Sequence, residues 1–161
     1  MDKLKPLSGL RRTIAAEKAK GKTIVLANGC FDLFHVGHIR YLRAAKSKGD
    51  VLVVALNGDV SVRRLKGKER PILPQEERAE ILAAFSFVDY VTIFNELMVT
   101  KVLLALKPDI HVKGSDYSQE TVPEKDTVKA YGGRVAIVGG PKIRNTSEVI
   151  RDIAVRMKKE T

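Results

Sequence analysis

Apolar residues in this chain follow two habits, short unbroken runs and longer stretches where they recur every three or four positions. Thr23-Ile24-Val25-Leu26-Ala27, Val51-Leu52-Val53-Val54-Ala55-Leu56, Tyr90-Val91-Thr92-Ile93-Phe94, Ile110-His111-Val112 and Arg134-Val135-Ala136-Ile137-Val138 have the first habit. They read as strands, mostly of the kind buried on both faces in a parallel sheet. Leu7, Leu10, Ile14, Ala15 and Ala19 lie close to helical spacing over 7–20, and Gly21 ends that run. Val36 to Lys48 reads as a second helix stopped by Gly49. A third begins at Pro74, with Glu76 and Glu77 in the turn where carboxylates suit the helix dipole and Ala79, Ile81, Leu82, Ala83 and Phe85 facing inward. Further helices are expected over 99–106 and 122–131, the latter closed by Gly132-Gly133, and a last one through Arg156, capped by Thr146 or Ser147. Strands alternating with helices predict a three-layer α/β fold with a mainly parallel five-stranded sheet. Residues 1–21 are expected to form an N-terminal helical extension packed on one domain, 22–161.

The 161 residues fit a single domain, and 44% hydrophobic content supplies a core. No apolar run approaches the roughly 20 residues of a membrane helix, and charge is scattered through residues 1–20, so a soluble, cytoplasmic protein is expected. The single cysteine, Cys30, cannot form an internal disulfide, and no Cys/His spacing resembles a structural zinc site. A formal net charge of +10 points to polyanionic partners, either nucleic acid or phosphorylated small molecules. The absence of tryptophan, the few phenylalanines and tyrosines, and the lack of any finger or basic zipper weigh against nucleic acid. The cations cluster in Arg63-Arg64-Leu65-Lys66-Gly67-Lys68-Glu69-Arg70, just before Pro71, in a segment that reads as a loop.

Open parallel sheets bind ligands beyond the carboxyl ends of their strands, so the informative segments are 28–38, 57–68, 113–117 and 139–147. The first holds His35 and His38, spaced to share one face of a helical turn, with Gly37 between them letting a backbone approach closely. A helix start with free N–H groups makes this an anion site. Neither a Gly-x-x-x-x-Gly-Lys-Ser/Thr loop nor a Gly-x-Gly-x-x-Gly fingerprint is present, so the phosphate grip is built otherwise.

Asn28-Gly29-Cys30-Phe31-Asp32-Leu33-Phe34-His35-Val36-Gly37-His38 resembles the His-x-Gly-His signature of the cytidylyltransferase-like nucleotidylyltransferases. More specifically, the chain resembles the adenylyltransferase domains that make ADP-heptose from D-glycero-β-D-manno-heptose 1-phosphate and ATP. That resemblance covers nearly the whole chain, through Asn57-Gly58-Asp59, Arg70-Pro71, Glu77-Arg78-Ala79-Glu80-Ile81-Leu82, Val88-Asp89-Tyr90-Val91, Lys107-Pro108-Asp109, Val112-Lys113-Gly114-Ser115-Asp116-Tyr117 and Tyr131-Gly132-Gly133. It implies a Rossmann-like fold of the nucleotidylyltransferase type. It further implies in-line attack of a sugar phosphate on the ATP α-phosphorus, with Mg²⁺ brought by ATP and no dedicated protein metal site.

By the same resemblance His35 and His38 steady the phosphates and Lys66 reaches over them. Lys68, Arg63 and Arg70 read equally well as a solvated charge run. Gly29, Cys30, Phe31, Gly37, Arg78, Arg144, Thr146 and Ser147 are assigned to the nucleotide; Arg78 is equally explicable as an ordinary exposed helical arginine, and Cys30 as a small buried side chain. Arg144-Asn145-Thr146-Ser147 stands where the heptose branch usually has Arg-Ser-Thr-Thr. Asp32, Lys113 and Asp116 are assigned to positioning the sugar phosphate or metal, with an ordinary turn role open for both aspartates. His111 reads as a structural residue within its strand. Small-molecule substrates are expected rather than nucleic acid or membrane, with self-association implied and no copy number fixed. The rivals are a cytidylyltransferase acting on glycerol 3-phosphate, a basic nucleic-acid-binding module, and a catalytically silent regulator on the same fold. Some members are fused to a sugar kinase; 161 residues leave no room for one, so a stand-alone transferase in the pathway to the lipopolysaccharide inner core is expected.

Overall fold

The computed structural model describes residues 2–141 and 144–159. In chain order these form α1 (Leu7–Ala19), β1 (Ile24–Gly29), α2 (Val36–Lys46), β2 (Val51–Asn57), α3 (Asp59–Lys66), α4 (Gln75–Ala84), β3 (Tyr90–Phe94), α5 (Thr100–Leu106), β4 (Ile110–Lys113), α6 (Lys125–Ala130), β5 (Arg134–Ile137) and α7 (Thr146–Lys159). The five strands make one sheet in the order β3-β2-β1-β4-β5, parallel throughout. The chain starts in the middle, builds outward to β3, then crosses to the other side of β1. The reversal falls between β1 and β4, where Ala27 is paired with Val112, so the loops leaving these two strands diverge and open a crevice.

Alternate strand residues serve two cores. Val25 and Ala27 pack with Leu42 and Ala45 of α2 and Ala79 and Leu82 of α4. Ile24 and Leu26 pack on the opposite face with Leu10 and Ile14 of α1 and Val102 and Leu103 of α5. Burial on both faces is why these strands read as unbroken apolar runs.

Aspartates hold the amino edge of the sheet by taking strand N–H groups that would otherwise lack acceptors. Asp50 accepts from Thr23 N–H (2.8 Å), Asp109 from Ile24 N–H (2.7 Å) and Asp89 from Leu52 N–H (2.7 Å). Gly49 joins α2 to β2 where a Cβ would lie 2.7 Å from Val25 Cγ2 and 2.9 Å from the Thr23 carbonyl oxygen, so the close approach itself demands glycine. At the other edge residues 3–5 run beside β3: Lys5 N–H donates to Val91 O (3.0 Å) and Val91 N–H to Lys3 O (2.9 Å). This covers an edge strand that would otherwise be open to pairing.

Three expectations are corrected. The basic segment is not one loop: Arg63–Lys66 is the last turn of α3, and Gly67, at φ 105°, ends the helix. Its buried residues are Ser61 and Val62, and the cations project outward, which hid the helical period. The helix expected over 122–131 contracts to Lys125–Ala130, because Pro123 disfavours helical backbone at Val122. The cap of α7 is Asn145, not Thr146 or Ser147. Glu148 N–H donates to Asn145 Oδ1 (2.8 Å) while Asn145 N–H donates back to Glu148 (3.2 Å), a reciprocal capping box.

Candidate active site

A cleft of about 620 Å³ opens where β1 and β4 end. One wall is the turn from β1 into α2. His35 is the N-cap of α2, and its Nδ1 accepts from Gly37 N–H at 3.1 Å, which leaves its ring proton on Nε2. The His35 and His38 rings stack with centroids 3.8 Å apart at 29°. Gly37 permits this, since a Cβ there would lie 2.9 Å from the His35 ring. Phe31 and Phe34 meet His38 edge to face at 5.2 and 5.4 Å, with interplanar angles of 63° and 68°. Burial first, and the neighbouring His35 second, push the His38 pKa down from 6.5 to about 4. At neutral pH His38 is therefore an uncharged ring that offers an N–H dipole. Phe31 holds φ at 44°, a left-handed conformation costly for an aromatic residue, and its ring is buried beneath the turn.

Asp32 is 1% exposed, and its carboxylate is taken up by the basic loop after α3. Oδ2 accepts from Arg70 Nε at 2.5 Å, and Oδ1 accepts the N–H groups of Ile72 (2.8 Å) and Leu73 (3.1 Å). Asp32 thereby fixes the loop that carries Arg70, which lines the cleft together with Lys66.

Arg78 is not in the cleft. It is wholly buried and lies behind the site, donating to Leu73 O (2.9 Å), Cys30 O (2.6 Å), Asn57 O (2.8 Å) and Asp59 Oδ1 (2.7 Å). It is not an exposed helical arginine; it ties together the segments leaving β1 and β2 and the one entering α4. Its grip on the Cys30 carbonyl fixes the turn from β1 into α2. The Cys30 thiol lines the cleft with its pKa raised, chiefly by burial.

The opposite wall comes from β4 and α7. Lys113 is 8% exposed; its ammonium donates to Asn28 Oδ1 (3.1 Å), pairs with Glu124 at 3.5 Å and lies 5.3 Å from the Tyr117 ring centroid. Burial lowers its pKa, with Glu124 opposing the shift. Gly29, Asp116, Arg144, Thr146 and Ser147 also line the cleft, and Thr146 Oγ1 donates to Leu33 O (3.3 Å), tying α7 to the histidine turn. Of the expected segment 139–147, residues 142 and 143 lie outside the described residues. The cleft carries Arg40, Lys66, Arg70, Lys113, Arg144 and Arg151 against Asp32 and Asp116, a strongly cationic lining that suits a polyphosphate. Among the described residues no group of three or more His, Cys, Asp or Glu is arranged to hold a metal ion.

Asn28 and Tyr117, inside the expected segments but assigned no role from the sequence, and Arg40 and Arg151, outside them, also line the cleft. Asn28 carries a usable signal, since it sits at the carboxyl end of the central strand. Arg151 carries another, four residues after Ser147 on the same helix face.

Residues 26–155 match the family described as cytidylyltransferase-like. The chain is 54% identical over 151 residues to the "Bifunctional protein HldE" of Geobacter metallireducens, covering 94% of this chain and 31% of that protein. It is 48% identical over 154 residues to the protein of the same name in Syntrophotalea carbinolica, covering 96% and 31%. The chain thus spans about a third of the length of these curated relatives. Among solved structures, a lipopolysaccharide core biosynthesis protein from Thermoplasma volcanium aligns with a TM-score of 0.62 and 34% identity, covering 73% of this chain and 95% of that one. The pantoate-beta-alanine ligase of Francisella tularensis aligns with a TM-score of 0.63 at 18% identity, covering 89% and 68%, a likeness of fold alone.

Proposed function

Since the chain belongs to the cytidylyltransferase-like family, we propose that it transfers AMP from Mg–ATP to D-glycero-β-D-manno-heptose 1-phosphate, giving ADP-heptose and pyrophosphate. The observation that carries this reading is the stacked His35–His38 pair at the start of α2, facing a cleft whose other wall presents Lys113. The likeness to a lipopolysaccharide core biosynthesis protein supports a phosphorylated sugar as the acceptor.

An oxygen of the sugar phosphate attacks the α-phosphorus and forms the new P–O bond. The bond from that phosphorus to the α–β bridging oxygen breaks, and pyrophosphate leaves with the electron pair. A phosphate monoester is already largely ionised near neutral pH, so no general base and no protein nucleophile are needed. His35 directs Nε2–H at the phosphates, and neutral His38 adds an N–H dipole that costs no reorganisation as charge shifts. Lys66 and Arg70 offset the charge growing on pyrophosphate. Mg²⁺ carried in with ATP would offset charge on the phosphate oxygens, and Asp116 is the cleft carboxylate that would help hold it.

The test is pyrophosphate release with ATP or CTP, each paired with heptose 1-phosphate or glycerol 3-phosphate, with product masses read in parallel. ADP-heptose is expected from the ATP and heptose pair alone, and His38→Ala should lower kcat by roughly 10²- to 10³-fold. Turnover of glycerol 3-phosphate with CTP would keep the mechanism and replace the substrate.

A further inference from the structure

On the β1–β4 wall Lys113 belongs to a polar cluster whose other members, Asn28 and His111, have no part in the transfer described above. Asn28 Oδ1 at the end of β1 lies 3.1 Å from Lys113 Nζ and 3.2 Å from His111 Nε2. An ammonium only donates, so the amide atom facing Lys113 is the oxygen. That oxygen only accepts, so His111 must carry its proton on Nε2. The other ring nitrogen, Nδ1, is then a bare lone pair, and it is buried with no hydrogen-bond partner among the described residues. His111 itself is wholly buried and pushed down to a pKa of about 3, by burial first and Lys113 second, so the ring is neutral. A buried, half-satisfied histidine in the middle of a parallel strand is a poor choice for stability alone, where an aliphatic residue would leave nothing unpaired.

The arrangement has a use once Asn28 is considered. Two donors occupy both lone pairs of Oδ1, which locks the amide against rotation. Its Nδ2–H groups have no acceptor among the described residues, and Asn28 lines the cleft beside Lys113. Register places the two residues side by side, one step beyond the Ala27–Val112 pair and at the reversal of strand order. A neutral amide donor and an ammonium thus sit together on the wall opposite the histidine turn.

We propose that Asn28 Nδ2–H and Lys113 Nζ together form the subsite for the phosphate of the acceptor, and that His111 is a positioning residue that locks the Asn28 amide in its donating orientation. This rests on reading the cleft as a site of nucleotidyl transfer to a phosphorylated acceptor. Asn28 would touch the attacking group, while His111 acts only through Asn28.

Two measurements test it. In the wild-type chain, long-range ¹H–¹⁵N NMR should place the His111 proton on Nε2, and titrating inorganic phosphate or heptose 1-phosphate without nucleotide should shift the Asn28 side-chain amide. In kinetics, His111→Leu should raise KM for the sugar phosphate roughly tenfold and leave KM for ATP unchanged. His111→Gln, whose amide can donate to Asn28, should recover most of the loss. A proton on Nδ1, an Asn28 amide indifferent to both phosphates, or equal rises in both KM values would overturn the proposal. If His111→Leu does not fold, the wild-type spectra still decide. An Asn28 shift with inorganic phosphate, accompanied by no ADP-heptose formation, would uphold the subsite and reject the acceptor named above.

Discussion

His38 shows how a side chain assigned to chemistry also loads the fold. Its pKa falls from 6.5 to about 4, so in acid the unfolded chain takes up a proton before the folded one does. The contribution of the neutral ring is complete above pH 6.5 and is lost as the pH drops toward 4. From that shift, urea unfolding should find about 2 kcal/mol less stability at pH 5 than at pH 7 attributable to this residue. His38→Gln should flatten that part of the slope, with His111 contributing in the same direction. A slope unchanged in the variant would mean that the ring is solvated. The sequence exposed the pair and its spacing. It could not expose the neutral state of His38, which comes from Phe31 and Phe34 closing over the ring.

At the scale of elements, the basic segment divides into a helix and a latched loop. The latch is Asp32, which accepts the Ile72 and Leu73 N–H groups and holds Arg70. Asp32→Ala should speed hydrogen exchange at the Ile72 and Leu73 amides by roughly tenfold or more, with the amides of β1 unaffected. Equal acceleration in the strand would signal global destabilisation instead. The run Arg63 to Arg70 was legible as a concentration of charge but not as α3, because only Ser61 and Val62 mark its buried side. The α7 cap was missed by one residue: Ser, Thr and Asn are all good caps, and Glu148, three residues beyond Asn145, favours Asn145 through the capping box.

At the scale of the molecule, Arg78 joins segments far apart in the chain, and removing its charge tests that connection. Arg78→Met keeps much of the volume and leaves three carbonyls and the Asp59 carboxylate without their donor. A loss of about 3–5 kcal/mol is expected in urea unfolding. A loss under about 1 kcal/mol would show that water replaces the guanidinium. The pattern of apolar runs and helical spacings was enough to set the fold class, since burying both faces of parallel strands leaves a signature in the residues themselves. The His-x-Gly-His turn was equally legible, because its residues are contiguous. Strand order, the pairing of residues 3–5 with β3, the burial of Arg78 and the meeting of Asn28, His111 and Lys113 were decided by tertiary structure. Each depends on residues distant in sequence, such as 28 with 111 or 30 with 78, brought together only by the order of the strands and the packing of helices on them, and no local pattern of polarity encodes that proximity.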